Sequence, residues 1–70
     1  MPDEIYARVE PEKIDMLNKI VEAYDNLGIV STLDNSSGRV VIRVTRDTWE
    51  EMMEILNNLP FPIDVMAAEA

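Results

Sequence analysis

Ile29-Val30-Ser31-Thr32-Leu33-Asp34-Asn35-Ser36-Ser37-Gly38-Arg39-Val40-Val41-Ile42-Arg43-Val44 is the stretch that decides how this chain folds. Its centre, Asp34 to Gly38, is dense in residues that tolerate turns and positive φ, and both flanks are rich in β-branched residues, so it reads as a hairpin. Pairing Leu33 with Val40 would place Ile29, Ser31 and Leu33 on the inner face with Val40, Ile42 and Val44. Val30, Thr32, Val41 and Arg43 would then lie outside.

On the N-terminal side, Glu4 to Val9 alternates, with Ile5, Ala7 and Val9 on one side and Tyr6 and Arg8 on the other, as a half-buried strand does. Pro11 suits a first helical turn, with Glu12 and Asp15 near the positive end of the dipole. Ile14, Leu17, Ile20, Val21, Tyr24 and Leu27 then recur at spacings of three and four, and Gly28 is placed to end the helix. On the C-terminal side, Thr48 to Glu51 matches a capping box, and Trp49, Met52, Met53, Leu56 and Leu59 form a second apolar stripe. Pro60 and Pro62 forbid helix and force an extended exit into a last short strand, after which Ala67 to Ala70 is expected to fray.

These readings give strands at about 4–9, 29–34, 39–45 and 62–66 and helices at about 11–27 and 48–59. The order, strand-helix-strand repeated, is the split βαβ arrangement of the ferredoxin-like plait, an α+β fold. Right-handed crossovers put both helices on one face of a four-stranded antiparallel sheet, with the first and third strands central and the other face bare.

The 70 residues carry fourteen Asp+Glu against six Lys+Arg, a formal charge of −8, and neither Cys nor His. One small acidic domain, residues 1–70, is expected, with a core too small for comfort, which makes self-association attractive. The charge disfavours nucleic acid and anionic membranes as partners. No basic, apolar leader and no run of about 20 apolar residues is visible, so a cytoplasmic location is expected.

Without Cys or His the usual nucleophile–base pairs and iron–sulfur ligation have no residues to work with. Glu10 with Glu12, Glu22 with Asp25, and Glu50, Glu51 and Glu54 read as solvated acids, since acid–base work needs a buried, shifted carboxyl. Asp34 to Gly38 has glycine at the fifth position and Thr45 at the twelfth, where a calcium loop needs ligands. Gly28 and Gly38 are too few for a phosphate-cradling loop. RNA-binding plaits stack bases on aromatics of strands one and three; here only Tyr6 is aromatic, facing Val41 and Arg43. The sequence therefore predicts no enzyme, no cofactor and no metal.

The bare sheet face is expected to carry Tyr6, Arg8, Val30, Thr32, Val41 and Arg43, with Met66 near it. Tyr and Arg are enriched in interface hot spots, so this face is the candidate interaction surface of a homodimer, through the face or an edge strand, with room for a larger protein partner. The two arginines could also receive an anion, unless they pair with the chain's own acids, as Arg43 could with Asp64 or a neighbour's Glu.

Ile5-Tyr6-Ala7-Arg8-Val9 with Pro11-Glu12, Asn18-Lys19-Ile20-Val21-Glu22-Ala23-Tyr24-Asp25-Asn26-Leu27-Gly28, Thr32-Leu33-Asp34 and Asn58-Leu59-Pro60-Phe61-Pro62 together resemble a short bacterial domain family of unknown function. That resemblance implies a small cytoplasmic protein and transfers no activity. The architecture is also similar to ACT-type regulatory domains, plaits that often pair side by side and bind amino acids near the turn after the first strand, a resemblance that implies sensing of an amino acid or anion as the alternative role for this chain. Here that turn, Val9-Glu10-Pro11-Glu12-Lys13, lacks the glycine that would let backbone approach a ligand.

Overall fold

The computed structural model describes residues 4–24 and 27–69. The elements are β1 (Glu4–Arg8), α1 (Ile14–Glu22), β2 (Gly28–Asp34), β3 (Arg39–Val44), α2 (Trp49–Asn57) and β4 (Asp64–Glu69). A 3-10 turn precedes each helix, at Pro11–Lys13 and Arg46–Thr48. All strand pairs are antiparallel, in the order β2-β3-β1-β4, so β1 and β3 are central as a right-handed split βαβ requires.

The core is one cluster. Ile5 and Ala7 of β1 and Val40, Ile42 and Val44 of β3 meet Ile14, Leu17 and Val21 of α1 and Met52 and Leu56 of α2. Because the strand residues come from alternate positions, both helices cover the same sheet face. Val9 and Phe61 close the cluster at the strand ends, and Ile20, Leu27, Trp49, Met53 and Leu59 pack around it. The two apolar stripes read from the sequence thus face inward, with one departure: Tyr24, just beyond α1, is 45% exposed.

Four local features differ from the sequence expectation. α1 ends at Glu22, and Gly28 opens β2 opposite Val44 instead of closing the helix. Gly28 is needed there for close approach, because a Cβ would meet Met52 Cε at 2.6 Å and the Arg43 carbonyl oxygen at 2.9 Å. Residues 25 and 26 of the expected helix lie outside the described residues. The capping box forms one turn earlier, between Thr45 and Thr48 around the 3-10 turn, with Thr45 N–H donating to Thr48 Oγ1 at 3.1 Å. β4 starts two residues later than expected and continues through Glu69 instead of fraying at Ala67.

The fourth difference concerns register. Thr32, not Leu33, lies opposite Val40, and Val30 lies opposite Ile42. The turn closes tightly, with Gly38 N–H donating to the Asp34 carbonyl at 3.0 Å and Gly38 at φ +79°. Asp34 then pairs with Arg39, and a bulge between Thr32 and Asp34 absorbs one residue. A one-residue shift exchanges the faces of a strand. Val30 accordingly packs against the core, and Ile29 is left 68% exposed.

Candidate functional site

The uncovered sheet face is built by outward positions of three strands, in rows set by the register. One row reads Ile29, Arg43, Glu4 across β2, β3 and β1; the next Ser31, Val41, Tyr6; the third Asp34, Arg39, Arg8, with Asp64 of β4 beside Arg8. Of the residues expected on this face, Tyr6, Arg8, Val41 and Arg43 are there. Val30 and Thr32 are not, because the bulge at Leu33 turns them to the helix side; Ile29 and Ser31 take their places.

Much of this face is already satisfied within the chain. The Tyr6 hydroxyl donates to Glu4 Oε1 at 2.8 Å, and Arg43 lies 3.7 Å from Glu4 Oε2. Arg43 thus pairs with Glu4 and not with Asp64; Glu4 is its direct cross-strand neighbour, whereas Asp64 lies two strands away at the other end. With the Arg43 side chain 61% exposed, the pair is worth less than about 1 kcal/mol. Val41, at the centre, is only 2% exposed, although it lies outside the core cluster. Tyr6 and Ser31 lie across from it, and Arg39 and Arg43 flank it along its own strand, so its long neighbours shield it without a partner protein.

Arg8 is set directly opposite Arg39, not beside Arg43. Each has an acid on its outer side, yet among the described residues neither makes an ion pair. For Arg39 the reason is visible in the turn. The Asp34 carboxylate caps it, accepting from Ser36 N–H at 3.1 Å and Ser36 Oγ at 2.8 Å. These bonds, the Ser36 hydroxyl foremost, hold Asp34 below the usual carboxylate range, and the Ser37 hydroxyl dipole assists. Ser37 Oγ acts only at a distance there, since it is buried with no hydrogen-bond partner.

Two further features escaped the sequence reading. The outer edge of β2 carries Ile29, 68% exposed, and Leu33, 49% exposed, on either side of Ser31. A cleft of about 330 Å³ opens where β1 leaves the sheet, between Arg8 and Glu10, the turn residue Ser37, and Pro62 to Asp64 leading into β4. Among the described residues no three acidic side chains come together as a metal site would require, and no helix is long and apolar enough to cross a membrane.

A four-stranded antiparallel sheet in the order β2-β3-β1-β4 with two helices on one face defines an α+β plait of the ferredoxin-like kind. The sequence matches, over residues 7–63, the family described as Domain of unknown function (DUF4911), and the chain belongs to that family. No curated protein and no solved structure gives a significant match.

Proposed function

We propose that this is a cytoplasmic, non-enzymatic interaction module that self-associates by pairing the β2 edges of two copies into one continuous sheet. The observation that carries this reading is the exposure of Ile29 and Leu33 on an edge strand. Edge strands are ordinarily blunted by Lys, Pro, bulges or charge. β4, the other edge, has a bulge beside Tyr6/Ala7 and acids at both ends, Asp64 and Glu69. β2 runs from Gly28 to Asp34 with no Lys, no Pro and no charge before its last residue, and its own bulge is confined to the turn end, between Thr32 and Asp34.

The strand is also self-complementary. An antiparallel pairing about a two-fold axis at Ser31 sets Ile29 opposite Leu33 of the second copy, twice, and Val30 opposite Thr32. Part-burial of four such side chains contributes roughly 3–6 kcal/mol, taking about half of the value for full burial. Association itself costs about 4–15 kcal/mol, so the backbone hydrogen bonds of the shared edge are required as well, and the dimer dissociates on dilution. The open face is a weaker candidate because Val41, Tyr6, Glu4 and Arg43 are already engaged with one another.

Sedimentation or light scattering over a concentration series tests this. Wild type is expected to approach twice the chain mass, and the double substitution Ile29→Lys, Leu33→Lys to stay monomeric with an unchanged far-UV spectrum. A concentration-independent monomer, or a dimer untouched by the double substitution and lost on changing Tyr6 and Arg8, would refute the edge model.

A further inference from the structure

Two adjoining cavities open where the chain passes from α1 into β2, and they share Tyr24 and Leu27. The larger, of about 500 Å³, runs past Gly28 to Ile29 and Val44, and its volume is that of a site able to bury an apolar group. The smaller, of about 240 Å³, reaches Ile55 of α2 and Asn58 just beyond it. Tyr24, at the junction, is 45% exposed although it continues the apolar stripe of α1. The result is a groove with apolar walls at the opposite end of the plait from the turn after β1.

The rim of this groove is charged in one sense. Glu22 stands on the larger cavity and Glu51 and Glu54 on the smaller, all at exposed positions, and among the described residues none of the three makes an ion pair. Among the described residues Arg43 is the one cation on either lining, and Glu4 already lies 3.7 Å from it. The Asn58 amide is engaged as well, donating to the Glu54 carbonyl at 2.8 Å. Three unanswered carboxylates therefore surround apolar walls in a chain whose formal charge is −8.

The spread of these charges selects the occupant. The carboxylates do not converge on a point as a metal ion would need, and a small monocation would leave the others unanswered. A segment of chain with several cations along its length meets all three, and one apolar side chain in its middle fills the groove. A second copy cannot supply it, because no two of this chain's six Lys+Arg are adjacent in sequence. We infer that the groove docks a short basic segment of a different protein, its aromatic or large aliphatic side chain seated against Tyr24, Leu27 and Ile55. Lysines or arginines flanking that side chain lie on Glu22, Glu51 and Glu54. The buried anchor supplies most of the affinity, and the rim charges set which partner is accepted. This surface meets the β2 edge only at Ile29, which the anchor does not require.

Titration of the ¹⁵N-labelled protein with the amidated peptide Lys-Lys-Trp-Lys-Lys, followed by amide chemical shifts, tests the inference. Saturable shifts are expected around residues 22–24, 27–29 and 51–58. Lys-Lys-Ser-Lys-Lys, without the anchor, and Glu-Glu-Trp-Glu-Glu, with the charges reversed, are each expected to bind at least about tenfold more weakly. The double substitution Glu51→Gln, Glu54→Gln should weaken the tryptophan peptide about three- to tenfold. Glu12→Gln, Asp15→Asn removes the same charge at exposed positions at the start of α1 and should leave binding in place, which separates the groove from the overall charge. Absence of saturable shifts, shifts centred on another surface, equal binding of either control peptide, or equal losses from the two double substitutions would overturn the inference.

Discussion

Gly38 is where a single methyl group should do most damage. It sits at φ +79°, and a Cβ there would fall 1.7 Å from the carbonyl oxygen of Val9 and 2.9 Å from its carbonyl carbon. Left-handed backbone costs an L-residue about 1–2 kcal/mol. The clash adds to this because the obstacle is backbone at the end of a central strand and not a movable side chain. To relieve it, the turn must lift from β1 and give up the 3.0 Å bond from Val9 N–H to the Gly38 carbonyl, worth about 0.5–1.5 kcal/mol. Alanine also restricts the unfolded chain, which returns about 0.4–1 kcal/mol. These terms sum to a loss of about 0.5–3 kcal/mol for Gly38→Ala, to which the remaining clash and any loss of packing at Val9 add. A chain of 70 residues, at about 0.1 kcal/mol per residue, has only about 7 kcal/mol in total. Urea unfolding followed by far-UV circular dichroism should show the loss as a lower midpoint at constant slope. Asn tolerates positive φ but brings the same Cβ, so Gly38→Asn should remain nearly as damaging if the clash dominates. A loss below about 1 kcal/mol in both variants would refute this account of the turn.

Leu56→Ala, at a side chain 1% exposed inside the single core cluster, should cost about 2–5 kcal/mol in the same urea assay. Glu4→Gln, which weakens the pair with Arg43, should change stability by less than about 1 kcal/mol, and a larger loss would show that the open face contributes more than its exposure implies. Asp34 has a carboxyl pKa lowered from 3.8 by its turn hydrogen bonds, so its stabilising contribution is present above pH 3.8 and fades as pH falls below that value. Asp34→Ala should therefore lose less stability than wild type between pH 5 and pH 2.5, as read from urea midpoints at the two pH values. Ile29→Lys, Leu33→Lys should abolish the concentration dependence of the mass without unfolding the chain.

The order of elements was legible because each follows from local pattern: alternation around Ile5, Ala7 and Val9, three-and-four spacing in the stretches that form α1 and α2, and turn chemistry from Asp34 to Gly38. Tyr6, Arg8, Val41 and Arg43 could be placed on one face for the same reason. Val30 and Thr32 were misplaced by a single residue of register, and the signal against that register was Ser31, which it would have buried without a partner. Ile29 and Leu33 pull the other way, since alternation alone favours burying two large apolar residues over one valine. The bulge at Leu33 is what resolves the conflict, and no local pattern announces a bulge. The early end of α1 at Glu22 escaped notice because Tyr24 and Leu27 continue the helical spacing beyond it.

Composition and periodicity by themselves determined a small acidic α+β plait with a hairpin at its centre, because hydrophobic period and turn residues are properties of neighbours along the chain. Which arginine meets which acid, which side chains stand on the exposed β2 edge, and which charges share the cleft at the end of β1 were decided only by tertiary structure. Those relations depend on cross-strand register and on how Gly38 seats the turn against Val9, where a shift of one residue exchanges inside for outside.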